Sequence, residues 1–165
     1  MKPTTTLDPE QLRRSMRAWT SGVAIVTASH AGEQHGMTVS SFTSIALEPP
    51  VIIVSLQTDS RTHDLVVGSN AFAVTILAED QQELSDRFAG RVPDTEDRLA
   101  GVETETLVTG LPFIKGGLAY LDCRVSQTIE VGTNTLFLGE VVSARGNGEG
   151  NPLVYHNQEY RKLNE

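Results

Sequence analysis

Cysteine is nearly absent: Cys123 is the only one in 165 residues. A single thiol closes no internal disulfide and builds no cysteine-rich metal site. Long apolar runs are missing as well. Val51-Ile52-Ile53-Val54 is typical of what exists, far short of the ~18 residues that cross a bilayer, and the start, Met1 to Glu10, has no apolar leader segment. Positive charge is scarce. Thirteen Lys and Arg against 21 Asp and Glu leave a net charge of −8, and the nearest thing to a basic cluster, Arg13, Arg14 and Arg17, sits on one short helix-like stretch. Such a chain repels a nucleic-acid backbone. Neither nucleic acid nor a membrane is an expected partner, and a cytoplasmic protein is the simplest expectation. Gly-x-Gly-x-x-Gly and the P-loop are both lacking, which removes support for a Rossmann or Walker site. His30 and His35 flank a turn without metal-ligand spacing, so no metal is expected. His63 and His156 are isolated, and order alone supports no Ser-His-Asp arrangement.

What remains suits one domain over 1–165 with a flexible start at 1–8. Asp8-Pro9-Glu10-Gln11 reads as a helix start, with a capping side chain and Pro at the first position. Leu12, Met16 and Trp19 share one face of that helix, Trp19 as a core anchor, and Gly22 ends it. After this the pattern turns to β. Val23 to Ala28, Met37 to Ile45, Val51 to Leu56 and Ala71 to Leu77 read as strands. Short helices are expected over Ser60 to Val67, capped by Ser60 or Thr62, and over Glu79 to Ala89, stopped by Gly90. Residues 91–103 read as a loop, with Asp94, Glu96 and Asp97 as solvated acids. Further on, Ala119, Leu121, Cys123 and Val125 alternate with Tyr120, Asp122, Arg124 and Ser126, the period of a half-buried strand with a core thiol. Leu136 to Val142 follows the turn Gly132-Thr133-Asn134. Phe137 and Val141 share one face of this strand; Leu136, Leu138 and Val142 share the other. A strand apolar on both faces needs cover on both, which points to a second subunit. Many strands with two or three short helices, not in regular alternation, predict a mainly β fold, a barrel rather than a doubly wound sheet.

Two stretches can carry chemistry. Gly36-Met37-Thr38-Val39-Ser40-Ser41-Phe42-Thr43-Ser44 is dense in hydroxyls, which fits either a solvated strand or a wall of donors for a phosphate or a heteroaromatic edge. Ser55-Leu56-Gln57-Thr58-Asp59-Ser60-Arg61-Thr62 joins a buried strand to a helix start. That fits either an ordinary cap with a surface Arg or a phosphate-binding turn.

Taken in order, several blocks resemble one family, the short-chain flavin reductases that partner two-component flavin-dependent monooxygenases. The resemblance runs from about Leu12 to Leu163. It rests on Gly22-Val23, on Gly36 to Phe42, on Glu48-Pro49-Pro50 before a strand, and on Ser60-Arg61-Thr62. Phe88-Ala89-Gly90-Arg91, Leu138-Gly139-Glu140-Val141 and Pro152-Leu153-Val154-Tyr155 complete it. The resemblance implies a split β-barrel that binds FMN or FAD as a homodimer, with the flavin near the subunit interface. Thr38, Val39, Ser40 and Ser41 would line the flavin, and Ser55, Leu56 and Gln57 its ring edge. Ser60, Arg61 and Thr62 would hold the phosphate. Phe88, Ala89 and Arg91 would flank the outer part, where an adenylate would extend, and Tyr160 joins the cofactor-binding set. The implied reaction is hydride transfer from NADH or NADPH to the flavin, which then leaves for a separate monooxygenase.

One position departs from the family pattern. Where a Gly-Asp-His or Gly-Thr-His run is frequent, with the His beside the nicotinamide, this chain has Gly132-Thr133-Asn134. Asn134 can donate and accept like a neutral His but cannot become cationic. That leaves an alternative reading, a flavin-binding split barrel without efficient turnover, and a third, a barrel for another ligand such as haem or a deazaflavin. Gln158 likewise stands where Gly is frequent.

Overall fold

The computed structural model describes residues 6–91, 97–146 and 148–163. The acids Asp94 and Glu96 and the first part of the expected flexible start lie outside them. Asp8 is inside, and it does cap a helix: its backbone is extended and its carboxylate accepts from Glu10 N at 3.0 Å. Helix α1, Pro9–Met16, ends at Met16, well before Gly22. None of its residues is buried, and Leu12, Met16 and Trp19 are 53%, 54% and 69% exposed. Trp19 is therefore not the expected core anchor. No other part of the described chain covers that face.

Strands β1 (Ser21–Gly22) and β2 (Ala24–His30) follow, then a turn at Ala31 and Gly32, both with positive φ, into β3 (Glu33–Val39). The chain breaks at Ser40 and Ser41 and continues as β4 (Phe42–Leu47) and β5 (Pro50–Gln57), so the expected run from Met37 to Ile45 is two strands. Helix α2 (Arg61–Ser69) is capped by Ser60, whose hydroxyl accepts from His63 N. Strand β6 (Ala71–Ile76), helix α3 (Gln82–Phe88), and the small hairpin of β7 (Thr104–Thr106) and β8 (Pro112–Ile114) come next. Two long strands, β9 (Ala119–Val131) and β10 (Asn134–Gly146), precede the short β11 (Val154–His156) and β12 (Glu159–Arg161).

Seven strands form one sheet in the order β3-β2-β6-β9-β10-β5-β4, and all its pairings are antiparallel. Its edges, β3 and β4, do not pair, yet Val39 of β3 and Phe42 of β4 pack into one core cluster with Ile52, Val54 and Phe137. The sheet thus curls into a barrel split along the β3–β4 seam. Helix α2 plugs it with Leu65 and Val66. A second cluster joins α3 to the C-terminal end through Phe88, Ile25, Leu77, Leu99 and Leu153. This is the mainly β barrel that the strand pattern predicts and the split form that the resemblance implies.

The polar face of β9 departs from its pattern. Tyr120 and Asp122 are buried, Asp122 completely, because the 103–118 segment folds over them. Thr109 donates to the Asp122 carboxylate from both its amide and its hydroxyl, and Phe113 lies 5.3 Å from the Tyr120 ring. Cys123 faces the core, as its alternation predicts.

On β10 the two faces part as expected. Phe137 points inward and is 1% exposed. Leu136 and Leu138 share the outward face with their register neighbours: Ser55 and Ile129 flank Leu136, while Ile53 and Gln127 flank Leu138. The result is an apolar, half-exposed outer surface across β5, β10 and β9.

Candidate functional site

Strand β3, the end of β5, the start of α2 and the end of α3 meet at a cleft of about 740 Å³. Thr38, Gln57 and Ser60 line it, with Arg61, Thr62, Phe88 and Ala89. Seven expected cofactor residues, drawn from three separate segments, therefore share one cavity. The close approach of α3 to β3 depends on Gly36. A Cβ there would lie 2.9 Å from both Phe88 Cε1 and Thr27 Cγ2, so any side chain would push the helix away.

Three residues of the cleft are not among the expected cofactor-binding residues: His35, Met37 and Arg98. His35 was read as part of a turn, but it lies in β3, and its Nδ1 shares a hydrogen bond with Thr62 Oγ1 at 2.9 Å. Arg98 donates from Nη1 to Gly36 O at 3.2 Å and to Phe88 O at 2.9 Å. It ties the loop after α3 to the cleft wall. In a chain of net charge −8, the cleft gathers two guanidinium groups and an imidazole.

Most hydroxyls of the site already have protein partners. Thr38 Oγ1 donates to Ser85 O at 2.6 Å. Ser41 Oγ donates to Ser55 O at 2.8 Å, and Ser60 Oγ donates to Gln57 O at 2.8 Å while capping α2. These side chains build the walls. What they retain for a ligand is lone pairs; Ser41 lies at a strand break, and Ser60 precedes a helix start, whose first amides lack intrahelical partners. Ser40 is exposed at the break itself.

A smaller cavity of about 150 Å³ adjoins the cleft through Thr38 and Ala89, and Val39, Ser40, Arg91, Tyr155 and Tyr160 line it. Its rim is a connected network. Arg91 donates to Tyr155 Oη at 3.2 Å and pairs with Asp86 at 3.3 Å. Tyr160 Oη donates to Asp86 Oδ1 at 3.2 Å and lies 2.7 Å from Ser85 Oγ. The hydrogen bond to Tyr155 is the main cause that raises the Arg91 pKa, and burial raises that of Tyr160. Both groups keep their protons at neutral pH.

The remaining expected residues sit apart. Leu56 is fully buried with its side chain in the core, so only its backbone can face a ligand. Ser55 and Asn134 lie on the outward face of the sheet, where Asn134 Nδ2 donates to Ser55 Oγ at 3.0 Å. Asn134 stands opposite Gln57 in the β5–β10 register. It therefore borders the cleft beside Gln57 without lining it. Among the described residues no group of His, Cys, Asp and Glu is arranged to hold a metal ion, and no helix is long and apolar enough to cross a membrane.

Comparison with known proteins places this geometry. The chain matches the flavin reductase-like domain model over residues 16–164. It is 37% identical over 158 residues to the NADH-dependent flavin reductase StyB of Pseudomonas fluorescens, covering 93% of this chain and 89% of that protein. The reductase component of the 4-nitrophenol 4-monooxygenase/4-nitrocatechol 2-monooxygenase of Rhodococcus opacus is 39% identical over 150 residues, 91% of this chain and 78% of that one. Among solved structures, the NADH:FAD oxidoreductase SgcE6 of Streptomyces globisporus C-1027 superposes with a TM-score of 0.88 at 30% identity, over 99% of each chain.

Proposed function

This chain belongs to the flavin reductase-like domain family, and from that footing we propose that it oxidises NADH to reduce FMN or FAD, delivering reduced flavin to a separate flavin-dependent oxygenase. The observation that carries the reading is the cleft itself. It joins strand β3, the β5 end, the α2 start and the α3 end in one cavity of about 740 Å³, within the size range of small-molecule sites.

The donor set fits a flavin nucleotide. Neutral hydroxyl and backbone groups of Thr38, Val39, Ser40 and Ser41 suit the uncharged, hydrogen-bonding edge of a heteroaromatic ring. Gln57 and the backbone of Ser55 and Leu56 continue that wall. Arg61, with the helix start at Ser60 and Thr62, suits a phosphate, where charge-assisted bonds and the helix dipole act together. Phe88, Ala89, Arg91 and Tyr160 close the opposite side. A bound flavin supplies the redox chemistry, since its ring accepts the hydride of the reduced nicotinamide. The protein orients the two rings and keeps water from between them. No side chain has to act as a nucleophile or general base, which accords with a site built of hydroxyls and backbone.

Asn134 belongs to this reading as the group beside the nicotinamide, placed on the outward sheet face. That face is where a second copy docks to form a homodimer. Its support is the half-exposed apolar surface of Ile53, Leu136, Leu138 and Ile129. A cytoplasmic location suits the reductant. The decisive experiment follows NADH and NADPH consumption under air with FMN, FAD or no flavin. Saturable, flavin-dependent NADH oxidation is expected, and turnover indifferent to flavin would overturn the reading. Sedimentation at equilibrium should show a dimer.

A further inference from the structure

Ser85, on α3, is completely buried. It lines neither the cleft nor the smaller cavity, yet two residues that line both hang on its carbonyl. Thr38 Oγ1 donates to Ser85 O at 2.6 Å, and Ala89 N donates to the same oxygen at 2.9 Å as the last turn of the helix closes. A carbonyl oxygen has two lone pairs, so both are in use. The helix bond fixes where the oxygen points, and the Thr38 hydroxyl takes the place that is left.

The side chain of Ser85 is fastened as well. Its Oγ lies 2.7 Å from Tyr160 Oη on β12. The next partner settles which of the two donates. Tyr160 Oη donates to Asp86 Oδ1 at 3.2 Å, and a carboxylate only accepts. The phenol has one proton, and it is used there. Ser85 Oγ therefore donates to Tyr160 Oη. Asp86 is held in turn by Arg91 at 3.3 Å, and the Tyr160 ring meets the Tyr155 ring edge-on at 5.5 Å. The C-terminal hairpin of β11 and β12 is thus tied to α3, and through Ser85 O to Thr38 in the cleft wall.

We propose that Ser85 is a positioning residue of the flavin site: anchored to β12 by Tyr160, its carbonyl engages the Thr38 hydroxyl proton and presents Thr38 to the ligand as a hydrogen-bond acceptor only. The proposal rests on the flavin reading above and deepens it. A threonine hydroxyl free to rotate serves a donor or an acceptor equally; held in this way, it selects an N–H or O–H of the ligand. A flavin offers such groups at N3 and along its ribityl chain. Its ring carbonyls and phosphate oxygens would meet lone pairs and be turned away. Tyr160 then acts on Thr38 through Ser85, in addition to lining the smaller cavity.

The test is a set of double-mutant cycles read by fluorescence titration with FMN. Tyr160→Phe removes the hydroxyl and keeps the ring against Tyr155 and Arg91. Thr38→Val removes the hydroxyl that is positioned, whereas Thr38→Ser keeps one. Tyr160→Phe should weaken FMN binding about fivefold in the wild type, the worth of one ordinary hydrogen bond, and about fivefold again in Thr38→Ser. In Thr38→Val it should change Kd by less than about twofold. Ser85→Ala should follow Tyr160→Phe in all three backgrounds, which keeps the inference testable if either variant fails a thermal melt. Equal losses in all three backgrounds would overturn it, because Tyr160 would then act on the ligand directly or on the fold at large. No loss in any background would overturn it too, and both results leave the flavin reading intact. A wild type that binds no FMN would remove the flavin reading itself and this inference with it.

Discussion

Asn134 donates its side-chain amide to Ser55 Oγ at 3.0 Å, bridging β10 to β5 on the outward face of the sheet. Thr133 Oγ1 in turn donates to Asn134 Oδ1 at 3.3 Å. Both ends of the amide are thus engaged, and its orientation is set by protein groups before any ligand arrives. An imidazole here could become cationic near neutral pH and attract a pyrophosphate or a developing flavin anion, as an amide cannot. Asn134→His should therefore raise kcat/KM for NADH, most at about pH 6, where the imidazole carries its charge. Steady-state kinetics at saturating flavin measure this. No gain at any pH would show that position 134 is not beside the nicotinamide.

Arg61 is shared between a ligand role and an ion pair. Its guanidinium lies 3.5 Å from Glu33, and both side chains are about half exposed. A pair this open contributes about 0–1 kcal/mol, so a phosphate can displace Glu33. Arg61→Ala should weaken FMN binding by about 1.5–3 kcal/mol, the range for a charge-assisted hydrogen bond, or about 10- to 150-fold in Kd. Glu33→Gln should tighten FMN binding by up to about fivefold, because it removes both a competitor and a negative charge. Riboflavin, which has no phosphate, is the control in fluorescence titrations. Equal changes for riboflavin and FMN would place the phosphate elsewhere.

Gly139 holds its place by space rather than by backbone conformation. A Cβ there would fall 2.5 Å from Phe72 Cζ and 2.9 Å from Cys123 Cβ, where β10 crosses the core beside a register shift against β9. Phe72 and Cys123 are both fully buried and cannot swing out. Gly139→Ala should cost about 1–3 kcal/mol, as overpacking of a close-packed core does. Chemical denaturation would show this as a lower midpoint with an unchanged slope. A wild-type midpoint would mean that the strand shifts freely at its bulge.

The features legible from sequence are those set by neighbours in the chain. The α1 cap follows from Asp8 and Pro9, the α2 cap from Ser60, and strand β5 from the apolar run Val51 to Leu56. What stayed hidden depends on segments far apart. Whether Trp19 is covered is decided by what packs on α1, and its own periodicity carries no trace of that. Asp122 reads as a solvated position until the 103–118 segment folds over it and Thr109 supplies two donors. Arg98 sits in a stretch that looks like plain loop, yet it reaches the carbonyl of Gly36, 62 residues away. His35 meets Thr62 across 27 residues. The block from Gly36 to Phe42 was visible as a dense run of hydroxyls, but not that the Thr38 and Ser41 hydroxyls would be used on the protein itself.

Cys123 gives a pH signature of the folded core. Burial, with the neighbouring Asp122 charge second, pushes its thiol from the ordinary value of 9.0 up to about 12. In the unfolded chain the thiol ionises near the ordinary value; in the folded chain it keeps its proton. Below about pH 9 both states bind that proton and the group has no effect on the pH dependence. Between there and about pH 12 the unfolded state binds fewer protons, so stability falls as pH rises. Burial also raises the pKa values of Tyr120 and Tyr160, which act in the same direction. Urea denaturation of the wild type should therefore show a declining free energy above about pH 9. Cys123→Ala should be less stable throughout, through loss of packing, but its decline should be shallower, since one of the three groups is gone. Parallel declines for the two proteins would mean that the folded thiol ionises as readily as the unfolded one, which a fully buried sulfur in an apolar core does not do.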